Sequence, residues 1–152
     1  MANAKEKKLA VITLSQQFMK NHPKAGQPTD FVAKLKAGKK IHTIRGNYEW
    51  WAKKAAQINA GLMELSVRVW SGKPYQSKQV EVARFTKLGV QRITAKWSDG
   101  NAIIEIDGMR YPSWMVAHND GLEQDEWLHW FYSPDPSFRY DGVVLHFTDF
   151  RY

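Results

Sequence analysis

The chain has 152 residues, 43% of them hydrophobic, with seven tryptophans, no cysteine and a formal net charge of +7. This length and hydrophobic content suit a single domain over residues 1–152 with a core of its own. Without cysteine there can be no disulfide, thiolate nucleophile or Cys-ligated zinc, and a reducing, cytoplasmic setting is expected.

Charge is unevenly spread. Residues 1–54 hold 12 Lys and Arg against 3 acids, residues 55–117 hold 8 against 5, and residues 118–152 hold 2 against 7. A basic front half attracts polyanions, although lysine also serves simply to solubilise a surface. No apolar run approaches the roughly 20 residues of a membrane span, so no membrane partner is expected.

Residues 1–8 read as a frayed basic tail, and Leu9–Leu14 as the first strand rather than a signal-peptide core, since no small-residue cleavage site follows. His22–Pro28 is a loop by its Pro and Gly content. Thr29 or Asp30 should start a helix with Phe31 and Leu35 on one face and Gly38 as its C-terminal stop. Lys40–Arg45 then reads as a strand. Asn47 is placed to cap a second helix, in which Trp51, Ala55 and Ile58 form the apolar stripe and Gly61 ends the run.

The middle of the chain alternates with a period of two. Met63, Leu65, Val67 and Val69 make one half-buried strand, and Val80 and Val82 mark the next, across a turn at Ser71–Pro74. Val90–Trp97 and Ala102–Ile106 flank Ser98-Asp99-Gly100, a hairpin signal, and Asp107-Gly108 is a further turn before Met109–Tyr111. A third helix is expected from about His118–Leu122, with Asp120 and Glu123 as a capping box and Trp127, Leu128 and Phe131 as its apolar side. Ser133–Pro136 ends it, and Gly142–Phe147 is the last strand. The whole reads as α+β, with about six or seven strands and three helices, the strands forming a small, partly closed barrel.

The segment Gly38-Lys39-Lys40-Ile41-His42-Thr43-Ile44-Arg45 concentrates chemistry. Its isoleucines favour a half-buried strand, which would hold the polar side chains on a fixed backbone. A lysine whose pKa is lowered by burial or neighbouring cations can act as a base toward a hydroxyl, and Arg45 has the fork that grips phosphate or carboxylate. In a regular strand Lys40 and His42 share a face, whereas Lys40 and Thr43 oppose each other unless a bulge or bend intervenes. The competing reading is an edge strand whose Lys39, Lys40 and Arg45 block aggregation. Asp120 reads as a helix cap before a catalytic acid, and His118 equally as a solvated loop residue. Of the adjacent tryptophans, Trp51 fits the core, while Trp50 or Tyr48 is the better exposed stacking face. The five histidines have no metal-ligand spacing, and neither a phosphate loop nor a nucleophile elbow is present, so no metal or cofactor is expected.

Together, the early helix, the Gly-Lys-Lys-x-x-Thr-Ile-Arg motif, the opening strand Ile12–Phe18 and the late Asn119–Leu122, Trp127-Leu128 and Val143–Phe147 segments resemble the ASCH group of PUA-like domains. The resemblance implies a small mixed β-barrel with flanking helices, to which residues 70–75 and 107–113 would be additions. Some small bacterial members are amidohydrolases that remove the acetyl group from N4-acetylcytidine. Their site uses a Lys and a Thr of this motif, matched by Lys40 and Thr43, and a Glu before the C-terminal helix. Here that region reads His118-Asn119-Asp120, with Asp120 the nearest acid and His118 the aligned position.

Three functions follow as expectations. The first is a module that binds RNA or a modified nucleoside beside Lys40–Arg45. Lys39, Lys40, His42 and Arg45 would contact it, and Tyr48, Trp50 or Trp114 would stack a base. The second is an amidohydrolase with Lys40 as base and Thr43 as nucleophile, Asp120 or His118 standing in for the Glu. The third is a protein-interaction domain docking through the acidic C-terminal third.

Overall fold

The computed structural model describes residues 6–135 and 137–152. Most of the expected tail (residues 1–5) and the helix-ending Pro136 therefore lie outside the described residues. Lys8 belongs to the first strand rather than to the tail.

The architecture is α+β, with eight strands in two sheets and four helices. The strands are β1 (Lys8–Thr13), β2 (His42–Gly46), β3 (Met63–Trp70), β4 (Gln79–Phe85), β5 (Gly89–Ser98), β6 (Asn101–Ile106), β7 (Met109–Tyr111) and β8 (Arg139–His146). The helices are α1 (Phe31–Lys36), α2 (Tyr48–Asn59), α3 (Ser113–Asn119) and α4 (Gln124–Phe131). One sheet has the order β1-β3-β4, with β1 and β3 parallel, and the other has the order β2-β8-β5-β6-β7, antiparallel throughout.

The eight strands do not close into one ladder among the described residues. Side chains bridge the sheets instead. Arg45 of β2 donates through Nη2 to the Thr13 carbonyl at the end of β1 (2.7 Å). Phe85 of β4 stacks on Phe147, just past β8, with ring centroids 5.1 Å apart. The expected barrel thus reduces to two sheets sharing one core.

That core follows from the pattern of the strands. Val143, Val144 and Leu145 of β8 are fully buried because this strand has β2 on one side and β5 on the other. The alternation of β3 puts Leu65 and Val67 inside, against α2, whose Trp51, Ala55 and Ile58 face inward as the helical spacing requires. Asn47 caps α2, its side chain accepting from the Trp50 N–H (3.3 Å).

Three helices end in the same way, and this corrects the reading of residues 113–123. In α1, α2 and α3 a glycine at positive φ follows the C-cap: Gly38, Gly61 and Gly121. Each time the glycine N–H and the next residue's N–H turn back onto carbonyls of the last turn. For α3 these bonds are Gly121 N to His118 O (3.1 Å) and Leu122 N to Ala117 O (2.9 Å). This is the Schellman arrangement, in which a glycine takes the left-handed position without steric penalty. Asn119-Asp120-Gly121-Leu122 is therefore the end of a helix, not the start of one. The capping box lies one turn later, where Glu123 is the N-cap and its N–H donates to Glu126 (2.8 Å).

Candidate functional site

A cavity of about 500 Å³ opens between the end of β1, strand β2 and helix α4. Its polar lining includes Lys40, Thr43, Arg45 and Asp120, and its aromatic wall includes Phe31, Trp130, Phe131, Tyr132 and Tyr140.

Lys40 reaches this cavity because it precedes β2 instead of lying in it. The chain leaves α1 by its glycine turn, with the Lys39 and Lys40 N–H groups both donating to the Lys34 carbonyl (2.8 and 3.1 Å). Ile41 is then fastened between Asn119 and Phe147 by two backbone bonds (2.9 and 3.0 Å). Strand alternation begins only at His42. The bend expected between Lys40 and Thr43 is this strand entry, and both side chains line the cavity.

Lys40 and Asp120 form a buried ion pair, with only 2% and 4% of each residue exposed. Lys40 Nζ donates to Asp120 Oδ1 (2.8 Å) and to the Asp120 carbonyl (2.7 Å), and sits 4.2 Å above the Phe31 ring centre. Burial draws the Lys40 ammonium below the ordinary lysine range, only partly offset by the Asp120 charge. Burial also raises the Asp120 carboxyl, but the charge of Lys40 and the proximity of His42 outweigh it and hold the group below its ordinary value. The pair is thus an ionised carboxylate beside a lysine that gives up its proton more readily than a surface lysine. Gly121 keeps the approach open, since a Cβ there would lie 3.0 Å from Lys40 Cβ.

Thr43 and Arg45 share a face of β2. Arg45 Nη1 donates to Thr43 Oγ1 (2.8 Å) and to the Ile44 carbonyl (2.8 Å). With its oxygen accepting from a guanidinium, the Thr43 hydroxyl keeps its own proton free for a base.

Behind the ion pair lies a buried polar relay. His42 is fully buried, and burial lowers its pKa more than Asp120 raises it, so the ring is neutral. Asn119 Nδ2 donates to the Tyr152 hydroxyl (3.0 Å), leaving that hydroxyl's proton for His42 Nε2 (2.7 Å). His42 then carries its proton on Nδ1, 3.6 Å from Asp120 Oδ1 and too long for a hydrogen bond. His146 stands edge-on to His42, with centroids 5.6 Å apart, and donates from Nε2 to Gln91 Oε1 (2.9 Å). Burial drives its pKa down to about 3.

The other expected residues lie elsewhere. Lys39, Trp114 and His118 line a separate depression of about 350 Å³ on the outer side of α3 and α4. His118 is exposed there, so Asp120 and not His118 accompanies Lys40. Tyr48 and Trp50 belong to α2 and do not line the cavity. Tyr48 lies under the Arg92 guanidinium (4.3 Å), and Trp50 meets Trp51 edge-on. The reading of Asp120 as an N-cap fails because it is the C-cap of α3, its side chain turned to Lys40 and not to a backbone N–H.

The sequence reading missed the aromatic wall, for which the dense Trp127–Tyr140 aromatics were a signal, and the Asn119–Tyr152 relay, for which spacing held none. Among the described residues no group of three or more His, Cys, Asp or Glu is placed to hold a metal ion, and no helix is long and apolar enough to cross a membrane. Comparison with family models, with curated proteins and with solved structures finds no match to this chain.

Proposed function

We propose that this chain is an amidohydrolase acting on an acylated nucleoside of the N4-acetylcytidine type, built on a PUA-like fold of the ASCH kind. One observation carries the reading: Lys40, Thr43 and the carboxylate of Asp120 line one cavity, with Asp120 bonded to Lys40. The volume lies within the roughly 300–1,000 Å³ of small-ligand sites, and its aromatic wall suits a planar base.

In the proposed reaction Lys40, whose proton burial loosens, first releases that proton to solvent through the cavity and reacts as the neutral amine beside the Asp120 carboxylate. The neutral amine takes the Thr43 hydroxyl proton, and Thr43 Oγ1 attacks the acyl carbon. Collapse breaks the C–N bond, with the leaving amine protonated by Lys40, and an acyl ester remains on Thr43. Water, deprotonated by Lys40, then adds to the ester carbonyl; the bond from the acyl carbon to Thr43 Oγ1 breaks, Lys40 returns the proton to that oxygen, and the carboxylic acid leaves. Arg45 holds the Thr43 oxygen and tempers its developing charge.

A second reading is retention of a modified base or an RNA segment without turnover. The fixed Lys40 ammonium favours it, being held by two hydrogen bonds to Asp120 as a ready donor to a base carbonyl. Phosphate contact by Lys40 and Arg45 has less support, since both groups are committed inside the protein.

Chromatographic assay of N4-acetylcytidine hydrolysis separates the two. Turnover by the wild type that is lost in Lys40→Ala and in Thr43→Val supports the hydrolase. No turnover by a wild type that still binds the nucleoside supports the second reading, and neither turnover nor nucleoside binding removes the hydrolase and the retention of a modified base.

A further inference from the structure

The cavity does not end at its aromatic wall. A second groove, of about 820 Å³, continues from it and shares Thr13, Leu14, Ser15 and Met19. Its far side is the segment joining β3 to β4. Tyr75 there is 88% exposed, and its ring meets that of Trp70 with centroids 5.1 Å apart.

This segment is built, not loose. The Ser71 N–H donates to the Lys78 carbonyl (2.8 Å), the Gly72 N–H to the Ser77 hydroxyl (3.0 Å), and that hydroxyl to the Lys73 carbonyl (2.8 Å). Gln16 Nε2 donates to the Trp70 carbonyl (2.6 Å), fastening the segment to the groove floor. Tyr75 itself has a φ of 62°. A bulky residue in the left-handed region is strained, and strain held in place by surrounding hydrogen bonds concentrates at binding positions. Here it goes with an aromatic face left in solvent on the far side of the groove.

We infer that this groove holds the nucleotide next to the one in the cavity, its base stacked on Tyr75, so that the substrate is a single-stranded oligonucleotide and not a free nucleoside. This rests on the nucleoside reading of the cavity. The lining fits the chemistry. Among the described residues the groove carries no carboxylate, one cation (Lys73) and the hydroxyls of Thr13 and Ser15 on the shared wall, where the linking phosphodiester would pass. Aromatic faces take any base, which makes the groove a platform without sequence preference.

The test compares N4-acetylcytidine with the same residue at the centre of a uridine-flanked trinucleotide, and measures anisotropy of fluorescein-labelled pentauridylate at low and moderate salt. Wild type should turn over the trinucleotide with kcat/KM about tenfold above the nucleoside, the size of one good base–aromatic stack. Tyr75→Ala should erase that advantage and leave nucleoside turnover within about twofold, while Tyr75→Phe retains it. Equal turnover of both substrates by wild type, or a Tyr75→Ala variant that lowers both alike, overturns the groove and leaves the hydrolase standing. If neither substrate is hydrolysed, pentauridylate binding that weakens with salt and drops about tenfold in Tyr75→Ala upholds the groove while the hydrolase falls. Binding indifferent to Tyr75 overturns the groove as well.

Discussion

Lys39 and Lys40 are neighbours in the chain and opposites in the molecule. Lys40 is buried, paired with Asp120 and covered by Phe31. Lys39 is exposed and lines the outer depression with Trp114 and His118. The depression has two lysines (Lys34 and Lys39), a carboxylate (Glu123), an imidazole and an indole, groups expected of a binding site. Only the cavity adds desolvation, and desolvation is what moves a pKa and makes hydrogen bonds strong. The same residue type one position apart therefore meets different surroundings, Lys40 in the buried cavity and Lys39 in the open depression.

The contrast breaks most sharply at Asp120. Asp120→Ala should cost about 3–5 kcal/mol in urea denaturation, because it strands a buried ammonium, and should abolish turnover. Lys39→Ala, in the same two assays, should leave both unchanged. Equal sensitivity of the two sites would mean that burial is not what distinguishes them.

Acid sharpens the contrast through the histidines. The folded-state pKa of His146 is lowered to about 3 from an ordinary 6.5, so between those values the unfolded chain binds the extra proton and stability falls as pH falls. The His146 share of the stability lost between pH 7 and pH 5 should be about 2 kcal/mol, and His146→Gln should remove that share while leaving the share of buried His42, whose pKa is lowered in the same direction. The depressed Asp120 carboxyl acts lower on the scale. Its contribution is present above the ordinary carboxylate pKa and is lost as pH falls through the folded value, so the two can be told apart.

Gly121→Ala should cost about 1–2 kcal/mol, from a side chain at a φ of 80° and a Cβ only 3.0 Å from that of Lys40. It should also lower turnover, because the displaced group is Lys40 itself. Ala at Gly38, which has a similar φ but open space around its Cβ, should show the stability loss without the loss of activity. The smallest effect is at Glu123, where Glu123→Ala removes half of the α4 capping box, for about 1 kcal/mol by thermal denaturation.

Much of the fold was legible because its signals are local. The alternation of β3, the Asp99-Gly100 turn with both residues at positive φ, the Asn47 cap and the i, i+4, i+7 stripe of α2 each depend on residues a few positions apart. Helix α3 was missed for a local reason too. Asp-Gly-Leu ends a helix by the Schellman turn, but an aspartate with a glutamate three residues on also looks like a start. Lys40 and Thr43 stood out as chemistry-bearing, and Trp50 and Trp51 divide into exposed and buried as the helix period requires.

By itself the sequence determined the α+β class and most element positions, since propensity, period and capping act over one or two turns. The tertiary structure alone decided that Asp120, 80 positions away, is the partner of Lys40, that His118 is not, and that the strands settle into two sheets bridged by side chains. Those outcomes depend on which groups lose their water together, and desolvation belongs to the packed chain rather than to any segment of it.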